Sequence, residues 1–524
     1  MANSRPNILF IMSDDHASTA ISAYGSRLAK DAPTPNIDRI AHEGMRLDNC
    51  HCVNSICTPS RANILTGQHS HVNGVRTLAD SMPLEPTVLP DLLREQGYQT
   101  ALFGKWHLHA EPRGFDTWTL LPGQGLYFDP IFIYSDEERV PDGTLLPDAE
   151  REEMVNSKGE VRKYNFGTLT RQKGYVTDLI TDMTVDWLKE RDEDKPFFLC
   201  CHHKAPHDFF EYDRIYEDLY KDVEFEEPDT LFENSDTNQE ISRRYGSTVS
   251  ERWEPRNMVK HLQSEHYPNG GAMDFSGLDF EGRARKAYQK YIQDYLRTVH
   301  SIDVNVGRLL DYLDESGLAE NTIVIYTSDQ GMMLGEHDKI DKRWIFEESQ
   351  RMPFLIRYPQ GITANTNCDE VVDNTDFAPT LLEYAGIDVP EFMQGQSFKG
   401  LLEGDLAEDR KQSVYYRYWM HMAHHWVPAH YGVRTKTRKL IFFYGMKLDA
   451  SGCNHPDCDE NIPPGFELYD LENDPQEKRN VYNDPAYAED VKELKAELLR
   501  LKALYGDTDE AYPELLAVQE QMFS

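Results

Sequence analysis

Four apolar runs in this sequence end in residues able to hold a metal or an anion. NILFIM (7–12) leads into Ser13-Asp14-Asp15-His16, and YQTALFG (98–104) into Lys105-Trp106-His107. PFFLCCH (196–202) continues as His203-Lys204-Ala205-Pro206-His207, and IVIYTSD (323–329) ends in Ser328-Asp329-Gln330. Asp14, Asp15, Asp329 and Gln330 offer three carboxylates and one amide, hard oxygen donors that suit Ca²⁺ or Mg²⁺ better than a soft-ligand metal. Adjacent carboxylates repel unless a cation lies between them, which favours a metal over the simpler reading that Asp14 and Asp15 cap the next helix. Lys105, His107, Lys204 and His207 supply the positive charge and proton-transfer groups that an anionic substrate requires. Each alone is an ordinary loop residue; their shared position is what points to one site.

The elements around these runs predict how they meet. Short β-branched or aromatic segments alternate with helical ones at 37–44, 87–97, 175–190, about 284–314 and 375–386, the pattern of a mostly parallel α/β sheet. In such sheets ligands bind outside the carboxyl ends of the strands, so the four ends should face one crevice. Residues 205–282 are polar, acidic and aromatic without periodicity, and read as a long excursion over the sheet that carries specificity. From about residue 400 the texture changes to VYYRYW, YGVRT, KLIFFYG and FELYDL, then a Glu/Lys/Leu helix at 488–504. The expected architecture is a large mixed, mostly parallel sheet sandwiched by helices over 1–400, with a smaller α+β domain on a short antiparallel sheet over 401–524.

Composition narrows the partners. Fifty-four Lys and Arg against ninety Asp and Glu leave a formal charge of −36, which disfavours nucleic acid and anionic membranes, since both require a positive field. The same charge disfavours a long sulfated polymer as ligand. No apolar stretch reaches the roughly 20 residues of a membrane span, and the N-terminal run is too short for a secretory signal. The expectation is a cytoplasmic protein, with periplasmic or secreted location as the minor reading. Eight Cys without framework spacing argue against a disulfide scaffold; Cys453 and Cys458, flanking His455, are expected to form neither a metal site nor a disulfide. The tail 511–524 carries enough apolar residues to dock on a neighbouring subunit, a hint of a homo-oligomer.

Between the strand ends lies SICTPSRANILTG (55–67). Thr58 and Pro59 read as a helix start with Pro at the first position, which places Cys57 at the helix's positive end, where anions are favoured. A Cys there is a buried structural residue or a thiolate of lowered pKa. Cys57-Thr58-Pro59-Ser60-Arg61 followed by Leu65-Thr66-Gly67 resembles the sulfatase signature C-x-P-S-R-x-x-x-L-T-G. PNILFIMSDD, TPNIDRIAHEG, GKWHL, KAPH, TSDQGMMLGEHDKIDKRWIFEESQRMPFLIRYP and ELYDLENDPQEKRN resemble sulfatase blocks in the expected order, along nearly the whole chain.

This resemblance implies an alkaline-phosphatase-like α/β fold and a sulfuric ester hydrolase. It implies that a formylglycine-generating enzyme oxidises Cys57 to formylglycine (3-oxoalanine), whose hydrate is the nucleophile. Asp14, Asp15, Asp329 and Gln330 match the positions that hold a divalent cation, usually Ca²⁺ (with Mg²⁺ or Mn²⁺ as alternatives), which also contacts residue 57. Gln330 departs from the commoner Asn or His. Arg61 matches the residue that holds the formylglycine diol; Lys105, His107, His207 and Lys342 match groups that bind sulfate or move protons. On this scheme one diol hydroxyl attacks sulfur, His207 or Lys342 protonates the leaving oxygen, and His107 takes the second hydroxyl's proton as sulfate departs.

Two rivals stay open in the sequence: a phosphonate monoester or phosphodiester hydrolase on the same site, and a non-catalytic anion- or glycan-binding protein with unmodified Cys57. The substrate is expected to be a small anionic ester, an aryl or sugar sulfate. Lys204, Gln124 and Tyr127 from GQGLYFDP, and His421, His425 and His430 beside His424 and Trp426, are candidates for the outer pocket. Similarity to sugar-sulfate hydrolases around LPGQG, HHKAPH and HYGVRT points to a hexosamine or other carbohydrate sulfate. The alternative is that these aromatic residues pack the small domain on the large one.

Overall fold

The computed structural model describes residues 5–83, 85, 87–147, 166–232, 240–405, 410–448 and 456–524. The strand Asn7–Ser13 is buried along its whole length, which is why it reads as an unbroken apolar run instead of an alternating one. Ile8, Phe10 and Met12 join the core on one face, while Leu9 and Ile11 join that on the other, as the two-residue period of a strand requires. It pairs in parallel with Phe197–His202 on one side and Thr322–Ser328 on the other.

These three strands are the middle of a ten-stranded sheet. Its order from edge to edge is Thr366–Cys368, Met45–Leu47, Phe354–Arg357, Thr322–Ser328, Asn7–Ser13, Phe197–His202, Gln99–Lys105, Thr117–Leu121, Ile131–Tyr134 and Thr168–Arg171. The centre is parallel; antiparallel pairs flank Phe354–Arg357 and close the far edge at Ile131–Tyr134. Helices Pro35–His42, Val176–Glu190 and the 36-residue Phe280–Glu315 cover one face through Ile37, Ile40, Ile180, Trp187, Ile302, Val306 and Leu309. Cys57–Thr66, Leu89–Glu95 and Phe377–Tyr384 cover the other.

Among its described residues the excursion over 205–282 includes the short α-helices Ile241–Arg244 and Met258–Gln263 and a 3-10 turn at Arg214–Tyr216. It is fastened by an aromatic core, in which Phe210, Phe225, Tyr267 and Phe275 pack with Tyr288, Tyr291 and Tyr295 of the long helix.

Strands Ser413–Tyr418, His430–Thr435, Arg438–Phe443 and Gly465–Asp470 form an antiparallel sheet in that order. Alternation again splits it: Tyr416, Tyr418, Ile441 and Phe443 extend the main core, while Tyr415, Tyr431, Val433 and Leu440 pack under helix Ala488–Tyr505. The tail helix Pro513–Phe523 folds back on this same sheet. Phe523 lies 5.3 Å from Phe442 and 5.0 Å from Phe466 between ring centres, so those apolar residues are used within the chain. Cys458 is disulfide-bonded, against the expectation that the 453–458 loop holds no disulfide; Cys453 and His455 lie outside the described residues. Among the described residues no helix is long and apolar enough to cross a membrane.

Candidate active site

Strand register assembles the acidic end of the site. Ser13 pairs with Ser328, so the residues following both strands emerge side by side. The Asp15 N–H donates to Asp329 Oδ1 at 3.1 Å, and the Asp329 N–H donates to the Ser13 carbonyl at 3.2 Å. Asp14, Asp15, Asp329 and Gln330 are 0–1% exposed. Lys105, at the end of a strand two places away, bonds Asp14 Oδ2 and, at 2.5 Å, Gln124 Oε1. Gly104 before it has φ +105°, and a Cβ there would fall 2.0 Å from the His202 carbonyl oxygen; only glycine lets the two strands approach so closely. Lys342 bonds Asp15 Oδ2.

Cys57 opens a helix, Cys57–Thr66, that is buried on every side and ends at Gly67 in the left-handed region. The helix starts at Cys57 itself, so Pro59 occupies its third position instead of its first. Cys57 Sγ lies 3.1 Å from His107 Nδ1, and Thr58 Oγ1 donates to the His107 carbonyl at 3.0 Å. One turn on, Arg61 donates from Nε to Asp329 Oδ2 at 3.0 Å and from Nη1 to the Lys105 carbonyl at 2.7 Å. That one side chain ties the helix to two strand ends.

The electrostatics follow from burial. Burial pushes the Cys57 thiol up to about 11 although Lys105 pulls the other way, so an unmodified Cys57 is a poor thiolate at neutral pH. Burial, aided by Lys105, holds His107 well below the usual imidazole range, leaving a neutral ring that can accept a proton. Burial drives Asp329 up to about 7, with the Asp14 charge next in size. Asp15, His107, Asp341 and Arg343 all have φ between 56° and 85°, left-handed backbone that costs on the order of 1–3 kcal/mol per residue and collects at functional sites.

His207 and Lys204 arrive on the loop after Phe197–His202. His207 Nε2 is 3.7 Å from Asp15 Oδ2. Burial, with Lys105 next, brings Lys204 down to about 8, and its Nζ lies 4.6 Å from the Tyr127 ring centre. Tyr127 donates its hydroxyl to the His207 carbonyl at 2.5 Å. Tyr127 and Gln124 therefore brace the cations.

Of the three histidines expected in the outer pocket, His425 lies beside the charged residues that flank Lys342. His425 Nδ1 is 3.3 Å from Asp341 Oδ2 and 3.1 Å from Ser247 Oγ. His421 and His430 correct the expectation. His421 bonds the Glu460 carbonyl at 2.8 Å and accepts the Ala429 N–H at 3.1 Å. His430 is sealed among Trp344, Tyr416 and Phe443, and burial lowers it to about 4. Both serve packing.

The sequence reading missed four charged residues that sit here. Asp341 and Arg343 flank Lys342 and pair with each other. Asp208 meets His207, and Arg256 meets Asp208. The three consecutive charges of Asp341-Lys342-Arg343, one acid and two bases, were a signal for the first pair. Asp208 and Arg256 lie 48 residues apart in the excursion and gave none.

The residues suit a divalent cation. Asp14 Oδ1 and Gln330 Oε1 are buried without a hydrogen-bond donor, a costly state for isolated acceptors. Carboxylate oxygens of Asp14 and Asp15 come within 4.8 Å of each other and of a His207 ring nitrogen, so the two acids can share one ion with the His207 imidazole standing beside it. Gln330 turns its amide nitrogen to Asp15 Oδ1; half a turn of that amide would present its oxygen. The donors are chiefly hard oxygens, as an alkaline-earth ion requires.

Residues 6–387 match the family model described as Sulfatase, and 335–504 match that of the N-sulphoglucosamine sulphohydrolase C-terminal region. The chain is 38% identical to N-acetylglucosamine-6-O-sulfatase of Bacteroides thetaiotaomicron, over 96% of this chain and 88% of that protein. It is 26% identical to an arylsulfatase of Clostridium perfringens, over 95% and 94%. A solved structure of a protein in complex with its substrate, D-glucosamine-2-N,6-O-disulfate, superposes with a TM-score of 0.80 at 37% identity, covering 96% of this chain and 99% of that one. The chain belongs to the sulfatase family and is a sulfuric ester hydrolase.

Proposed function

We propose that this enzyme cleaves the 6-O-sulfate ester of an N-acetylglucosamine-type sugar, using Cys57 matured to formylglycine together with Ca²⁺. The contact that carries the chemistry is the 3.1 Å approach of Cys57 Sγ to a neutral His107, inside a buried nest of Asp14, Asp15, Asp329, Arg61, Lys105 and Lys342. A thiol raised to about 11 is a weak nucleophile, so the site makes chemical sense with residue 57 converted. Hydrated formylglycine supplies two hydroxyls on one carbon, one for attack and one for expelling sulfate afterwards. Asp14, Asp15, Asp329 and Gln330 would hold the cation beside residue 57, where it supplies positive charge against the sulfate oxygens and makes a hydroxyl more acidic.

The chain's own groups then divide the work. Arg61 fixes residue 57 at the end of its helix. Lys105 and Lys342 pair with Asp14 and Asp15 of the acidic nest, and their buried ammonium groups would offset sulfate charge there. His107 accepts a proton from residue 57 at Nδ1. His207 gives one from Nε2 to the leaving oxygen. Lys204 is a further cation for an outer oxygen, and Asp341, Arg343 and His425 form the polar wall that the sugar hydroxyls would meet. Residues 1–400 carry all of this except His425, which 401–524 contribute.

The sugar comes from the N-acetylglucosamine-6-O-sulfatase relative at 38% identity and from the glucosamine disulfate held by the superposed structure. Release of inorganic sulfate from N-acetylglucosamine 6-sulfate, N-acetylgalactosamine 6-sulfate and N-sulfoglucosamine tests the assignment. The first should be turned over fastest. Equal rates on the first two, or N-sulfoglucosamine as the best substrate, would refute it.

A further inference from the structure

We infer that Asp208 and Arg256 position His207 for proton delivery, and that this pair lets the enzyme cleave esters of poorly acidic alcohols. The inference rests on the reading above that His207 protonates the leaving oxygen. His207 Nδ1 lies 2.7 Å from Asp208 Oδ1 and 2.9 Å from the Asp208 carbonyl. Both are acceptors, so Nδ1 carries its proton toward Asp208, and Nε2 is the nitrogen that faces the site. The second Asp208 oxygen, Oδ2, accepts from Arg256 Nη2 at 3.2 Å, and the Arg256 guanidinium lies 5.9 Å from the Phe209 ring centre. The imidazole is thereby held at one edge by a carboxylate that is itself held by a guanidinium.

This arrangement matters in proportion to the leaving group. When the S–O bond of a sugar sulfate breaks, its electron pair stays on an alkoxide oxygen, which must take the His207 Nε2 proton as charge develops. A nitrophenolate leaves with little help. A ring free to turn about its side-chain torsions would cost the sugar ester most of its rate and the nitrophenyl ester little. Asp208 and Arg256 are 24% and 23% exposed at their side chains, so both can be replaced without opening the core.

The test uses the matured, calcium-loaded enzyme and a series of aryl sulfates of graded phenol acidity, with N-acetylglucosamine 6-sulfate alongside. Asp208→Ala should lower kcat by about 100-fold on the least acidic phenol ester and on the sugar, and by less than about 5-fold on 4-nitrophenyl sulfate, with KM held. Asp208→Asn should fall between, because its amide oxygen still accepts the Nδ1 proton. Arg256→Met should shift the series in the same direction by less. In a His207→Ala background, adding Asp208→Ala should cost nothing further. A uniform fall across the aryl series, a change confined to KM, or additive losses in the double variant would overturn the inference. A wild-type enzyme that ignores the sugar ester would instead overturn the substrate assignment, and the aryl series would decide this inference by itself.

Discussion

Two buried ion networks in this molecule use the same kinds of residue to different ends. In one, Glu347 and Glu477 meet Arg434 and Lys439 where the small sheet joins the large one. Arg434 donates to Glu347 from Nε at 3.1 Å and from Nη2 at 3.0 Å. Lys439 lies 2.8 Å from Oε1 of both glutamates, and Glu477 Oε2 accepts the Glu347 N–H at 2.7 Å. Each of the four carboxylate oxygens has an ammonium, a guanidinium or an N–H within 3.1 Å, although Glu477 Oε1 and Lys439 Nζ meet without hydrogen-bond alignment; by distance the network is closed. The other network, around Asp14, Asp15 and Asp329, also matches three acids with three cations. It nonetheless leaves Asp14 Oδ1 and Gln330 Oε1 without donors and drives Asp329 up to about 7. Charge balance alone does not separate a fastening from a site; distance does, since Glu477 Oε1 meets Lys439 Nζ at 2.8 Å whereas the Arg61 guanidinium stands 3.9 Å from Asp14 Oδ1.

Breaking the site network should abolish chemistry and leave the fold. Cys57→Ala should lower sulfate-ester turnover by at least about 10³-fold while urea unfolding shifts by less than about 1 kcal/mol. Retained turnover would mean the nucleophile lies elsewhere. Chelation comes next: stripping the enzyme should remove most activity, and Ca²⁺ should restore it. Calcium should also raise wild-type stability by about 2.7 kcal/mol at 100 times its Kd, a gain that Asp14→Asn should lose. A melting curve indifferent to calcium in both proteins would erase the distinction between the two networks.

Breaking the closed network should do the reverse. Lys439→Met strands Glu477 in a buried site and should cost about 3–5 kcal/mol of stability, with kcat per folded molecule preserved and no response of that loss to chelator. Loss of turnover at unchanged stability would place Lys439 in the chemistry. The smallest effect is expected at the uncharged fastening, where Phe523→Ala should cost about 1–2 kcal/mol, less than a fully buried Phe because the tail ring is only half-buried. Unlike the loss from Lys439→Met, it should not change with salt.

Much of this was legible in the sequence because the site's main groups follow directly on apolar runs. Asp14 and Asp15 just past NILFIM, Lys105 after YQTALFG and Asp329 at the end of IVIYTSD needed only the rule that strand ends share one edge. The motif around Cys57 supplied the rest. Short strands at or next to the sheet's edge, Thr366–Cys368 and Met45–Leu47, went unread because three residues carry no period. His421 and His430 misled because a cluster of histidines in sequence says nothing of which face of a strand each occupies, and His430 alternates into the core. Asp208 and Arg256 stayed hidden because a long excursion fixes its partners by tertiary packing on the Tyr288–Tyr295 face of the helix, not by spacing.

The most direct test of the account is the mass of the peptide carrying residue 57, from protein produced alongside a formylglycine-generating enzyme, with sulfate release measured on the same sample. The account predicts that the Cys57 thiol is replaced by an aldehyde, and that specific activity rises in proportion to the converted fraction across preparations. A fully active enzyme whose residue 57 remains an unmodified cysteine would contradict it.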